Sequence, residues 1–228
     1  MSQNLIGEDH PLSLMAQSLP EGELGAILSR PGMGKTAVLV QLAMYHLLSG
    51  TNVLHVSLDQ PVRKVALWYE EVFTPLALAN NWQDHLSMWE TMLPRRFIMG
   101  FTAEGFSASR LMERLNDLTE QNIFYPQVMI VDGLDFSEGG ISLLKDMKAL
   151  VGEYKMRAWF SMRLKKDESI MEDGLPGTFS QVADLFYRAC LLAPENGGIA
   201  VKPVKNGIPA DRNFVLDPAT FLINEAGR

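Results

Sequence analysis

Ser29-Arg-Pro-Gly-Met-Gly-Lys-Thr36 is the stretch that decides the fold of this chain. It closes a strand-like run, Glu23-Leu-Gly-Ala-Ile-Leu28, and opens an apolar helical run, Ala37-Val-Leu-Val-Gln-Leu-Ala-Met44. A glycine-rich turn between a strand and a helix is the setting in which a backbone cradles phosphate. Gly32 and Gly34 lack a Cβ, so the chain can curl with its amide N–H groups turned toward phosphate oxygens. The helix that follows adds the positive end of its dipole. Within the cradle of Ser29, Arg30, Pro31, Gly32, Met33, Gly34, Lys35 and Thr36, two side chains have expected roles. The Lys35 ammonium is expected to reach the β- and γ-phosphates of a nucleotide, and the Thr36 hydroxyl to ligate Mg²⁺. The loop departs from GxxxxGK[ST] at its first position, where Ser29 replaces glycine. Serine is small enough to sit at a strand end.

The rest of the composition fits one sizeable α/β domain spanning residues 1–228. Hydrophobic residues make up 47% and charged residues 21%, enough apolar surface for a substantial core. The formal net charge of −7 argues against a broad electrostatic grip on nucleic acid, although a local basic strip is compatible with it. No apolar run approaches the ~20 residues of a membrane span, so no membrane partner is expected. The N-terminus carries acidic residues and lacks the basic-then-apolar order of a signal peptide, which makes a cytoplasmic protein the expectation. Cys190, in Phe186-Tyr-Arg-Ala-Cys-Leu-Leu-Ala193, reads as a buried small hydrophobe. His10, His46, His55 and His85 show no ligand spacing, so no zinc site is expected. Trp68, Tyr69, Trp82 and Trp89 read as packing residues on helices.

Strands alternate with helices through most of the chain, the pattern of a mainly parallel, twisted sheet flanked by helices. Asn52 to Leu58 reads as the second strand and Val62 to Phe73 as a helix stopping before Pro75. Leu76 to Met92 reads as another helix, with Trp82 and Trp89 on one face. Arg96 to Phe101 is a third strand, and Ser107 or Ser109 caps a helix running to about Gln121. Gln127 to Val131 is a fully buried strand ending in Asp132. Ile141 to Tyr154 is helical and Ala158 to Met162 is the next strand. Arg163 to Thr178 is a polar loop long enough to be functional. A C-terminal antiparallel hairpin follows, Leu185 to Leu192 and Ile199 to Lys205, joined by Glu195-Asn-Gly-Gly198. Asn206-Gly207 turns the chain again before Asn213 to Leu216.

Hydrolysis needs more than a phosphate loop: it needs a carboxylate for the metal and a group that orients the attacking water. Asp132 ends a buried strand and is expected to hold the Mg²⁺ water shell; the ordinary alternative is a capping aspartate. Asp59 ends the second strand and is the candidate for orienting water, against an Asx-type turn before Pro61.

Ser18 to Ala43 followed by Asn52 to Pro61 resembles the RecA-like P-loop ATPase core. It is most similar to the motor domain of DnaB-type replicative helicases. Val128 to Phe136 resembles that family's Walker B strand, Gly177 to Ala189 the segment after its sensor strand, and Ala200 to Pro209 its basic hairpin. The resemblance runs from about Leu19 to Leu216, with Thr74 to Gln121 matching only in element order. It implies ATP and Mg²⁺ as ligands, Lys35, Asp59 and Asp132 in catalysis, and a homo-oligomer sharing nucleotide sites. Lys205 would then be supplied to a neighbour's site.

The sequence departs from the family in several places. The family's catalytic glutamate falls on Asp59, one methylene shorter, and such loose positioning lowers rate steeply. The sensor glutamine falls near Met162 or Arg163. The hairpin's Lys-x-Arg pair maps onto Pro203 and Lys205, with Lys202 one place off, and a lysine does not replicate arginine's fork. The loop after Asp132 is cut to Phe136 to Gly140. The residues before Glu23 are too few for the helicase N-terminal domain, which is not expected.

Three functions follow. The first is a stand-alone ATPase with slow Mg²⁺-dependent hydrolysis that uses nucleotide state to control assembly or a protein partner. The second is a single-stranded-DNA-dependent motor, supported by Arg163-Leu-Lys-Lys166 but opposed by Asp167, Glu168, Glu172 and Asp173 in the same loop. The third is a nucleotide-binding scaffold that has lost hydrolysis.

Overall fold

The computed structural model describes residues 6–17, 19–136, 138–165, 167–172, 174–195, 198–206 and 212–226. In chain order the helices are α1 (Pro11–Ala16), α2 (Lys35–Leu48), α3 (Val62–Ala79), α4 (His85–Met92), α5 (Ala108–Glu120), α6 (Glu138–Glu153) and α7 (Gly177–Ser180). The strands are β1 (Leu24–Ser29), β2 (Val53–Ser57), β3 (Arg96–Gly100), β4 (Val128–Asp132), β5 (Arg157–Arg163), β6 (Arg188–Glu195), β7 (Gly198–Lys205), β8 (Phe214–Leu216) and β9 (Ile223–Glu225). They form one nine-stranded mixed sheet in the order β3-β2-β4-β5-β1-β6-β7-β8-β9. From β3 to β6 the neighbours run parallel; the β6–β7, β7–β8 and β8–β9 pairings are antiparallel.

The period-two alternation of the strands feeds two cores. Ile27, Val53, Ile130 and Trp159 face α1, α2 and α3. Leu24, Leu28, Leu54, Val131, Phe160 and Met162 face α5, α6 and α7. Burial on both faces is why the parallel strands read as continuous apolar runs. Trp159 lies across Gly25 of the neighbouring strand, where a Cβ would stand 2.5 Å from the indole. Glycine is therefore required in the middle of β1.

Two helix boundaries differ from the sequence expectation. Pro75 does not end its helix: α3 continues to Ala79 with Pro75 inside it. Val72, Phe73, Leu76 and Ala77 are all buried on one side, and this packing outweighs the lost amide hydrogen bond. The expected helix from Leu76 to Met92 is broken after Ala79. Asn81 takes a left-handed φ of 53° and the chain closes with Trp82 N donating to Ala77 O (3.0 Å) and Asn81 N to Leu78 O (3.1 Å), a Schellman stop. Trp89 is helical and Trp82 is not, but both rings pack on Phe73. Three short elements, α1, α7 and β9, were not expected. The expected cap at Ser107 is present, its hydroxyl accepting from Arg110 N at 3.2 Å.

Candidate functional site

Every side chain singled out for the cleft except those of the C-terminal hairpin sits at or just beyond the carboxyl end of a parallel strand. This is where open α/β sheets place ligand sites. The loop after β1 enters α2 through Gly32 (φ 79°) and Gly34 (φ 85°), both left-handed. A Cβ at Gly34 would also stand 2.6 Å from Leu216 Cδ2, so the left-handed turn is closely backed by β8. Ser29 is fully buried, and its hydroxyl accepts from Lys35 Nζ at 3.0 Å while donating to Arg30 O at 2.7 Å. The carbonyls of Ser29 (3.3 Å) and Arg30 (3.4 Å) complete the ammonium's acceptors. The serine that replaces the first loop glycine thus parks the lysine. Burial lowers the Lys35 pKa; Asp132 opposes this, Arg163 adds to it and Asp59 opposes it.

Thr36 and Asp132 meet directly, Thr36 Oγ1 donating to Asp132 Oδ2 at 2.7 Å. Beyond Asp132 the chain turns at Gly133 (φ 90°), whose amide donates to Ser161 Oγ on β5 at 3.0 Å. Leu58 N donates to Asp132 O at 2.9 Å, which carries the end of β2 alongside. Asp59 then lies against Gly133, where a Cβ would be 2.8 Å from the carboxylate carbon. The turn before Pro61 is closed by Ser57, whose hydroxyl accepts from Gln60 N at 3.2 Å and donates to Gln60 O at 2.9 Å. Burial first, and then the Asp132 charge, raise the Asp59 pKa; its own backbone amide, Lys64 and Lys35 pull it down without cancelling the rise.

These groups line one cleft of about 1240 Å³ with Pro31, Gly32, Trp68, Ser161, Arg163, Lys165, Gln181 and Phe221 among its walls. Of the two sensor positions, Arg163 lines the cleft and Met162 does not: it is fully buried in the α5–α6 core. Ser161, one residue earlier and on the opposite face, reaches the site instead. Lys205 does not reach the cleft of its own chain. It pairs with Ala189, which pairs with Ala26, three residues before Ser29 and so about 10 Å down the strand. Its ammonium donates to Ala183 O at 2.7 Å. Lys202 pairs with Glu195 at 2.9 Å on the surface.

Matched against models of known protein families and against curated proteins, the chain finds no match in either.

The loop after β5 is held by Glu168, whose carboxylate accepts from the amides of Lys165 and Thr178. Lys166 and Asp173 of that loop lie outside the described residues, as do the turn residues Asn196, Gly197 and Gly207. The buried imidazoles stay neutral: burial pushes His46 and His55 down to about 4, and His55 Nδ1 pairs with the Tyr69 hydroxyl at 2.9 Å. Burial pushes the Cys190 thiol up to about 12, which makes it unreactive. Among the described residues no group of His, Cys, Asp and Glu has metal-ligating geometry of its own, and no helix is long and apolar enough to cross a membrane. Sequence reading missed Ser161, Gly133, Trp68 and Phe221 as cleft residues. Only Gly133 carries a local signal, a glycine directly after the strand-ending aspartate.

Proposed function

We propose that this chain is a RecA-like ATPase that binds Mg·ATP at Ser29–Thr36, hydrolyses it slowly, and uses the nucleotide state to control assembly or a partner. The observation that carries the reading is the 2.7 Å contact between Thr36 Oγ1 and Asp132 Oδ2 at the mouth of the glycine loop. Two oxygen donors set beside a phosphate cradle are the pair that holds Mg²⁺ in P-loop enzymes. The donor set fits the metal, since Thr36 and Asp132 would offer it hard oxygens. The cradle fits the phosphates in its backbone, since Gly32 and Gly34 both take the left-handed φ that a phosphate-binding turn needs. Further support for the RecA-like core is the parallel sheet with helices on both faces and an antiparallel C-terminal edge.

Mg²⁺ bound at Thr36 and Asp132 supplies charge neutralisation for the phosphate oxygens. The chain's own groups do the rest. Lys35 exchanges the Ser29 and Arg30 oxygens for phosphate oxygens, a move from neutral acceptors to charged ones. Asp59 orients the attacking water; its raised pKa makes it a better proton acceptor than an ordinary aspartate, while its short side chain loosens the alignment. Ser161 fixes the Gly133 amide and with it the spacing between the two carboxylates. Cations from Arg163 and Lys165 offset the negative charge that gathers in the cleft.

Lys35→Ala tests the reading. It abolishes binding of a fluorescent ATP analogue and all ATP turnover while leaving the melting temperature within a degree or two. Undiminished binding in that variant removes the proposal.

A further inference from the structure

Asp59 and Asp132 line the cleft that holds the Lys35 ammonium and both act on its charge, yet it bonds neither. Among the described residues its acceptors are three neutral oxygens, with the Ser29 hydroxyl the nearest at 3.0 Å. An ammonium that passes over two carboxylates for a hydroxyl sits in a formed seat.

The hydrogen bonds around that seat single out the hydroxyl. Ser29 O already accepts from Leu164 N at 2.9 Å, and Arg30 O from the Ser29 hydroxyl at 2.7 Å. A hydroxyl has one proton, and this one goes to Arg30 O, so Ser29 Oγ faces Lys35 as an acceptor only. Ser29 is fully buried, which removes water as a competing partner. Its backbone is fixed from both sides, paired with Arg163 of β5 and with Leu192 of β6. The acceptor therefore belongs to the sheet, while the donor is the first residue of α2. Glycine, the usual residue at this loop position, has no side chain and cannot make the contact.

We propose that Ser29 is a latch on Lys35, holding the ammonium back in the empty site so that polyphosphate affinity is set by competition between the Ser29 hydroxyl and the phosphate oxygens. The inference rests on the nucleotide reading above and adds the regulation of its affinity. Ser29 acts through Lys35 and is a positioning residue. The apparent affinity of a ligand falls by the fraction of protein whose binding group is free to engage. A hydrogen bond from a charged donor is strong enough to keep that fraction well below one. The penalty grows with the ligand's use of the lysine, so it weighs on the phosphates and not on the base or ribose. It also speaks to release: whenever the ammonium lets go of a phosphate, the latch recaptures it, and the difference appears in the dissociation rate.

Two measurements on the full chain test the latch: calorimetric titration with Mg·ATP and Mg·tripolyphosphate, and heteronuclear NMR of the Lys35 ammonium protons without ligand. Ser29→Ala is expected to tighten both ligands about fivefold, chiefly by slowing dissociation. In wild type the ammonium protons exchange slowly with water, and in Ser29→Ala they exchange several-fold faster. Ser29→Thr keeps the hydroxyl and behaves as wild type in both measurements, which a loss of packing alone would not reproduce. Unchanged or weaker binding by Ser29→Ala overturns the latch, and so does ammonium exchange as fast in wild type as in Ser29→Ala. A wild type that binds neither ligand beside a Ser29→Ala that binds both supports it. Failure of both proteins to bind either ligand overturns the nucleotide reading, and the latch's role in affinity with it.

Discussion

The Thr36 hydroxyl and the Asp132 carboxylate, 96 residues apart in sequence, share a hydrogen bond of 2.7 Å. Under the proposed reading, Thr36 and Asp132 would hold Mg²⁺ in place of that bond, and the metal would neutralise phosphate charge there. Asp132→Asn keeps the geometry and removes the charge. It should leave ATP binding without Mg²⁺ unchanged, cancel the gain in affinity that Mg²⁺ confers, and lower turnover by at least about a hundredfold. Titrations with and without Mg²⁺, together with phosphate release, read both effects.

The Asp59 carboxyl, raised by burial and by Asp132, opposes folding when it is ionised. A carboxyl whose folded pKa is raised contributes stability below its unfolded pKa, and that contribution is lost as pH rises through the folded value. Asp59→Asn should therefore melt higher than wild type at pH 7 to 8, with the difference vanishing on acidification through the carboxylate range. It should keep nucleotide affinity and lose turnover, while Asp59→Glu raises the rate by recovering reach. The acid limb of wild-type activity should lie above that of an ordinary aspartate. Normal turnover in Asp59→Asn would move the water-orienting role to another carboxylate.

Lys205 lies about 10 Å along the strand from its own cleft, and its ammonium donates to Ala183 O at 2.7 Å, a bond it must leave to serve a neighbour's site. If a second copy of the chain receives it, specific activity rises with protein concentration and Lys205→Ala loses turnover while binding ATP. Mixing Lys205→Ala with Lys35→Ala then restores part of the activity, because each supplies what the other lacks. A monomer by light scattering in ATP, with concentration-independent activity, excludes the shared site.

Glu168 ties the two ends of its loop. Burial raises its pKa, but hydrogen bonds from the Thr178 side chain, the Thr178 amide and the Lys165 amide outweigh that, as does the Lys165 charge, and the net shift is downward. The bond is therefore complete above the ordinary glutamate range and is lost as pH falls through the lowered value. Hydrogen exchange at the Lys165 and Thr178 amides, corrected for intrinsic rates, should show protection at pH 7 that disappears in acid. Glu168→Gln should reduce the protection at pH 7 and flatten its pH dependence.

What could be read from the sequence was local. The glycine loop, its flanking strand and helix, and the apolar run ending in Asp132 each carry their signal within a dozen residues. Pro75 misled because its breaking tendency is local, whereas the buried stripe Val72, Phe73, Leu76 and Ala77 that overrides it depends on the sheet beneath. Asn81 carried a weak stop signal that a glycine would have made plain. Ser161 was missed by one residue: strand parity decides whether Ser161 or Met162 faces the cleft, and parity follows from which neighbours bury Trp159. Trp68 and Phe221 lie far apart in sequence and their rings meet only in the fold, so no window of sequence holds the pair.

The strand that carries the phosphate loop is the first to be synthesised and among the last to be enclosed. Its partners on either side, β5 and β6, span Arg157–Arg163 and Arg188–Glu195. At ordinary translation rates β1 waits on the order of ten seconds with both hydrogen-bonding edges open. Such an edge invites other strands during that interval. Nascent chains stalled before Arg188 should therefore occupy chaperones, and a ribosome-bound fragment ending there should bind no nucleotide even though the whole loop has already emerged.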